Sequence, residues 1–381
     1  MPPVSVLMKP ASGMCNLHCE YCFYCDEVSK RTKQSFGMMS EETLKNVIRR
    51  TLLRAEGYAG YAFQGGEPML RGLDFFEKVV FYQQKYNKNQ VRIQNALQTN
   101  GTLLNGAWCE FLYKNHFLVG ISLDGTEEIH NAYRKGADMA GTFGQVIQGI
   151  RLLEQYQVDF NILTVVHDLT AEHIEEIYSF YKREGWNYQQ YIACLDPLGE
   201  PHGNSRYALT PEQYGRFLIR LFSLWYKDWK KGKQPYIRQF DNYIGILMGY
   251  APEACDQRGC CGIQNVVEAD GSVYPCDFYM MDDYRLGNFN EDLLDRIDQR
   301  RKEIGFLERS RMLEESCKSC KYHFICRGGC QRNRDWDGDV GAYRNYFCRS
   351  YRMFFDACME QLKGVADYAR TGKGEIKGGT K

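Results

Sequence analysis

Apolar residues in the first 233 positions alternate between short continuous runs and stretches where they recur every three or four places, the signatures of buried strands and amphipathic helices in turn. Val4 to Met8 reads as a first strand. Ser40 then caps a helix with Glu41 and Glu42 in its first turn and Leu44, Val47, Ile48 and Leu52 on one face, and Gly57 lies past its end. The pattern continues with predicted strands at Tyr61 to Gln64, Val91 to Gln98, Phe117 to Leu123, Phe160 to Val166 and Tyr188 to Ile192. Between and after them it predicts helices at Leu73 to Tyr86, Gly106 to Lys114, Phe143 to Tyr156, Ala171 to Arg183 and Pro211 to Lys231. About six βα units in series imply a parallel sheet, with ligands at the carboxyl ends of the strands. From about Ala251 the pattern changes to short loops, turns and cysteines, ending in a predicted helix from Arg349 to Ala369. The expected division is a first domain over 1–233, a second module over 234–370, and a Gly- and Lys-rich tail, 371–381, with too little to bury to stay ordered.

The chain has 381 residues, 44% of them hydrophobic, enough for one large domain and an appendage. Lys+Arg and Asp+Glu both number 48, so nothing favours electrostatic capture of nucleic acid or of an anionic membrane surface. No apolar run approaches the roughly 18 residues of a membrane span, and the Met1-Pro2-Pro3 start lacks the charged and apolar segments of a signal peptide. A cytoplasmic location is expected. Sixteen cysteines then point to metal or redox chemistry rather than a disulfide framework.

Three of them, Cys15, Cys19 and Cys22, are spaced C-x3-C-x2-C on a loop after the first strand. A 4Fe-4S cluster takes four ligands, so three thiolates leave one iron free to bind a reactant. Structural zinc is the alternative, since Cys25 completes a possible four-cysteine set by count. Gly65-Gly66-Glu67-Pro68 follows the second strand: the glycines let backbone approach a ligand closely, and the carboxylate is suited to an ammonium group. Ser122 ends the fourth strand and Arg134 comes shortly after, a residue type suited to carboxylate binding.

Downstream, Cys255, Cys261 and Cys276 run C-x5-C-x14-C, and Cys317, Cys320, Cys326, Cys330 and Cys348 run C-x2-C-x5-C-x3-C-x17-C. These make two complete four-thiolate sets, for iron-sulfur clusters or for two zinc ions. Asp277, adjacent to Cys276, is a candidate base or a turn former. His167 and His202 read as satisfied or solvated side chains. Cys25, Cys109, Cys194, Cys260 and Cys358 stay unassigned and are expected to be small buried hydrophobes.

The three-cysteine loop, with Tyr21 before its last cysteine, resembles that of radical S-adenosylmethionine (SAM) enzymes, and the eight later cysteines resemble the SPASM extension of radical SAM peptide maturases. The opening Met1 to Ser12, Cys22-Phe23-Tyr24, Phe63 to Pro68, Leu97 to Gly101, Ile121 to Gly125, Cys194 to Pro197 and Asp270 to Tyr279 look like the anaerobic sulfatase-maturating enzymes. The resemblance implies an α/β fold, a partial (β/α)6 radical SAM barrel with a C-terminal cysteine-rich SPASM module. It implies three 4Fe-4S clusters: one on Cys15, Cys19 and Cys22, one on Cys255, Cys261, Cys276 and Cys330, and one on Cys317, Cys320, Cys326 and Cys348. It further implies SAM contacts at Tyr21, Gly66, Glu67, Ser122, Arg134 and Leu195, and Asp277 as the catalytic base.

The implied reaction is oxidation of one Cys or Ser of a sulfatase to Cα-formylglycine, by hydrogen abstraction with a 5′-deoxyadenosyl radical and electron transfer to the auxiliary clusters. The implied partners are an unfolded sulfatase segment of Cys- or Ser-x-Pro/Ala-x-Arg type and a one-electron reductant such as flavodoxin or ferredoxin. Two rivals are a SPASM maturase that forms crosslinks in another peptide and a non-enzymatic zinc-binding interaction protein. Many crosslinking maturases carry an N-terminal recognition domain, whereas this chain enters its first strand at residue 4; iron clusters are brown and zinc sites colourless.

Overall fold

Six parallel strands form the centre of the sheet in the computed structural model, which describes residues 3–372: β1 (Val4–Met8), β2 (Tyr58–Phe63), β3 (Arg92–Thr99), β4 (Leu118–Ser122), β5 (Phe160–Val166) and β6 (Tyr188–Ala193). They lie side by side in chain order, with pairs such as Val6 opposite Tyr61 and Leu97 opposite Val119, and short β7 (Tyr236–Ile237) extends the series beside β6. Helices between the strands bury their apolar faces on the sheet. The Ser40 hydroxyl caps the helix Glu41–Leu52 by accepting from Thr43 N, and Leu44, Val47, Ile48 and Leu52 are buried. Phe76, on the helix Leu73–Tyr86, packs edge-on to Phe63 of β2 at 5.1 Å and to Trp108 at 5.2 Å.

Two features of this half depart from the pattern prediction. The helix expected over Ala171 to Arg183 is two helices, Asp168–Glu172 and Ile174–Glu184, because buried His167 caps the first by accepting from Thr170 N and the chain turns at His173. A helix at Glu127–Tyr133, too short to show a period, leads into Arg134–Gly136, which pairs antiparallel with Leu17–Cys19 in a register that sets Arg134 opposite Cys19.

The C-terminal half joins the sheet rather than standing beside it. β8 (Asn265–Val267) pairs parallel with β1, Met8 opposite Val267, and β9 (Ser272–Tyr274) and β10 (Gly287–Asn288) follow antiparallel. Without them β1 would present an open edge of unpaired backbone groups. The last helix, Cys348–Thr371, lies along Pro211–Trp229, where Gly215 admits Met353, and Phe354 meets Phe222 at 5.8 Å. It runs past Ala369 into the expected tail and stops where Gly372 turns left-handed at φ 63°; positions 373–381 of that tail lie outside the described residues. No described helix is long and apolar enough to cross a membrane.

Candidate functional site

The loops after β1, β2 and β3 are laced together at one rim of the sheet. Gly66 N donates to the Ser12 carbonyl at 3.0 Å and Glu67 N to that of Met14 at 2.8 Å. A Cβ at Gly66 would lie 1.9 Å from the Met14 oxygen, so only glycine lets this turn close on the cysteine loop. After β3, the Asn100 amide donates to Asn16 Oδ1 at 2.9 Å, and the Asn16 amide donates to Thr102 Oγ1 at 2.9 Å.

Glu67 is held by donors from three positions of the protein. Its carboxylate is fully buried and already accepts from Met69 N (3.0 Å), Thr99 Oγ1 (2.8 Å) and Asn100 N (2.8 Å), while burial raises its pKa to about 7. These bonds tie the glycine turn after β2 to the loop after β3. Tyr21 likewise turns its side chain inward: its hydroxyl donates to Asp124 Oδ2 and accepts from Arg134 Nη1 at 2.8 Å, and its ring stacks on His167. Asp124 is fully buried and also accepts from Val165 N at 2.9 Å. The Tyr21 side chain therefore fastens the loop, and only its backbone is left to meet a ligand.

Arg134 keeps one buried donor, Nε, without a partner among the described residues. Ser122, at the end of β4, accepts from Gln98 Nε2 at 3.1 Å, and half-buried Leu195 follows β6. The strand ends thus bring Gly66, Ser122, Arg134 and Leu195 to the same rim as the three thiols.

The thiols fit an iron-sulfur cluster in donor type and surroundings. Burial pushes Cys15 up to about 11 and Cys19 to about 12, whereas a hydrogen bond from Cys25 lowers Cys22 to about 6; all three feel one another's charge. Crowded thiols of this kind ionise together when a cationic centre is among them. Among the described residues, no three His, Cys, Asp or Glu side chains converge on a single-ion site.

The eight later cysteines fall into two neighbourhoods, with Cys330 beside the first run rather than the second. Cys276 lies within electrostatic reach of Cys330 and Cys261, and Cys330 of Cys255 and Cys261. Cys326 is within reach of Cys317, Cys348 and Cys320, and these four thiols line one cavity with Tyr322, His323 and Phe355. Cys109, Cys194 and Cys358 are buried as expected; Cys25 is exposed and Cys260 half-buried, so they do not follow that default.

Asp277 sits where the two halves meet. Its Oδ1 pairs with the ammonium of Lys9 and its Oδ2 accepts from Gln64 Nε2 at 3.0 Å. Glu27 is fully buried close by, accepting from Met280 N at 3.3 Å; burial and then the charge of Asp277 raise it to about 8. Sequence reasoning missed Lys9, Glu27 and Asp124 as site residues. The available signal was position, since Lys9 is the first residue past β1 and Asp124 the second past β4.

The Radical SAM superfamily pattern matches residues 10–181, and that of an iron-sulfur cluster-binding domain matches 260–321. With the thiol rim and the two four-thiol sets, they define a radical SAM protein with a C-terminal iron-sulfur extension. A cysteine-type anaerobic sulfatase-maturating enzyme of Clostridium perfringens is 44% identical over 96% of this chain and 99% of that protein. A serine-type one of Bacteroides thetaiotaomicron is 33% identical over 93% and 89%. The solved structure of native anSMEcpe with bound AdoMet and Cp18Cys peptide matches at TM-score 0.91 and 44% identity, over 97% of this chain and 100% of that one. The chain belongs to the anaerobic sulfatase-maturating enzymes. Streptococcus suis SuiB, at 16% identity and TM-score 0.64, shares the fold.

Proposed function

We propose that this chain oxidises a cysteine of an unfolded sulfatase segment to Cα-formylglycine, as a radical SAM enzyme with three 4Fe-4S clusters. The observation that carries the assignment is the Gln64–Asp277 hydrogen bond of 3.0 Å. It joins the residue before the glycine turn to the residue after Cys276, so one carboxylate borders both the three-thiol rim and the first four-thiol set. Cys15, Cys19 and Cys22 hold the catalytic cluster, Cys255, Cys261, Cys276 and Cys330 the first auxiliary one, and Cys317, Cys320, Cys326 and Cys348 the second. When bound, clusters and SAM supply the one-electron chemistry: hydrogen abstraction from the target Cβ and a sink for the released electron.

The backbone of Gly66 and Tyr21, with Ser122, Arg134 and Leu195, orients SAM; Arg134 Nε is the donor free for its carboxylate. Glu67 shapes the turn. Asp277 takes the proton from the target thiol or hydroxyl. Residues 1–233 form the catalytic unit and 234–370 the cluster-bearing one. An abundance of cysteine thiols supports a reducing, cytoplasmic setting with flavodoxin or ferredoxin as reductant. Identity of 44% to the cysteine-type relative against 33% to the serine-type one supports Cys as target.

The test is anaerobic incubation of the reduced protein with SAM and a peptide of Cys-x-Pro/Ala-x-Arg type, followed by mass spectrometry. The expected product is about 18 Da lighter, and a Ser counterpart about 2 Da lighter, from the mass balance of the cofactor's chemistry. Efficient SAM cleavage with no aldehyde, alongside a crosslink in some other peptide, would overturn the assignment.

A further inference from the structure

Lys9 is an unusual residue to find in this place. Its backbone N–H donates to the Val267 carbonyl at 2.8 Å, which pins it between β1 and β8, and its side chain is wholly buried. The stem lies against the glycine turn, where a Cβ on Gly65 would meet Lys9 Cδ at 3.0 Å. The ammonium reaches Asp277 Oδ1 and stands 4.2 Å from the centre of the Tyr24 ring. That ring is itself fixed: the Tyr24 hydroxyl donates to Glu268 at 2.6 Å, and Arg31 donates to the same carboxylate oxygen at 2.6 Å. A buried ammonium is costly unless paired, and an apolar side chain would fill the space with less penalty. The charge is explained by its partner.

We infer that Lys9 is a positioning residue for Asp277. With Gln64 holding one oxygen and Lys9 the other, the carboxylate is fixed from two strand ends and aimed in a single orientation at the target thiol. The inference rests on the reading of Asp277 as the base.

A double-mutant cycle on the iron-loaded enzyme separates the two ideas: Lys9→Met, Asp277→Asn and both together, scored for iron content, 5′-deoxyadenosine and formylglycine. Lys9→Met should keep its iron and its SAM cleavage, lose about ten- to a hundredfold in formylglycine, and raise the ratio of 5′-deoxyadenosine to product by the same factor. The double variant should make no less product than Asp277→Asn alone, because Lys9 acts only through that carboxylate. Unchanged product from Lys9→Met, or losses that multiply in the double variant, would overturn the inference and leave the base reading standing. Normal product from Asp277→Asn would overturn the base reading, and the inference with it. Loss of iron or of SAM cleavage in both Lys9→Met and Lys9→Gln would make Lys9 a support of the fold and overturn its positioning role.

Discussion

The three thiols at the rim and the eight thiols of the C-terminal half belong to one sheet system but are held in opposite ways. Cys15, Cys19 and Cys22 share one short loop, whose position depends on neighbours that are not thiols: Gly66 and Glu67 after β2, Asn100 after β3, and Asp124 and Arg134 after β4. The thiols of the C-terminal half gather in two groups, Cys255, Cys261, Cys276 and Cys330 in one and Cys317, Cys320, Cys326 and Cys348 in the other, so each group offers four donors from within itself. A loop held from outside can present three donors and stay open on one side; a group of four thiols can fill four ligand positions without a reactant. The first arrangement suits chemistry and the second suits electron storage.

Replacing Cys15, Cys19 and Cys22 by Ala breaks the comparison most severely. SAM cleavage should vanish and about a third of the iron should go, the share of one cluster in three, while the auxiliary clusters keep their absorbance. Residual 5′-deoxyadenosine would show that the rim is not the reactive site.

Asp277→Asn sharpens it, because this residue touches both regions. SAM cleavage should persist while formylglycine falls by roughly 10²- to 10⁴-fold, as for loss of a general base. The two products are quantified in the same reaction mixture, so enzyme concentration cancels. Equal losses in both would relocate Asp277 to the SAM site.

Much of the rim was legible because parallel strands buried on both faces read as apolar runs, and a loop that follows such a run must emerge at its carboxyl end. The thiols, Gly66 and Ser122 were placed by that logic alone. β8 to β10 were not, since strands of two or three residues carry no period. Lys9 and Glu27 gain meaning only from Asp277, whose bond to Gln64 spans 213 residues of sequence, a distance across which pattern is silent. The burial of Glu67 was not legible for a related reason: its donors Met69 N, Thr99 Oγ1 and Asn100 N come together only in the fold.

Glu27 yields a pH prediction at the junction. Its folded pKa of about 8 lies above the ordinary 4.5, so the native state keeps a proton that the unfolded state gives up. Its stabilising contribution is complete below about 4.5 and is lost as pH rises toward 8, by about 1.4 kcal/mol per unit across that window. Glu27→Gln stays neutral throughout. Its melting temperature should therefore rise relative to the parent from pH 5.5 to pH 8 and level off above, in paired thermal scans of iron-loaded protein; a constant offset would mean that Glu27 is ionised in the native state.

Tyr21→Phe makes the smallest change and tests whether the rim is fastened from outside the thiols. The ring stays, still flanked by His167, Tyr133 and Tyr207, so the apolar packing is kept. What goes is one hydroxyl between Asp124 and Arg134. Arg134 Nη1 stands 3.7 Å from Asp124 Oδ2, near enough for the two charges to compensate each other partly without the bridge. The expected cost is about 1–3 kcal/mol, that of a buried hydrogen bond to a charged group. Because the hydroxyl braces only the loop after β1, iron should be lost from the catalytic cluster first on mild chelation, with the auxiliary clusters unaffected. Equal loss from all three clusters would show that the rim and the C-terminal sets unfold as one unit, and the contrast between them would then lie in coordination alone and not in support.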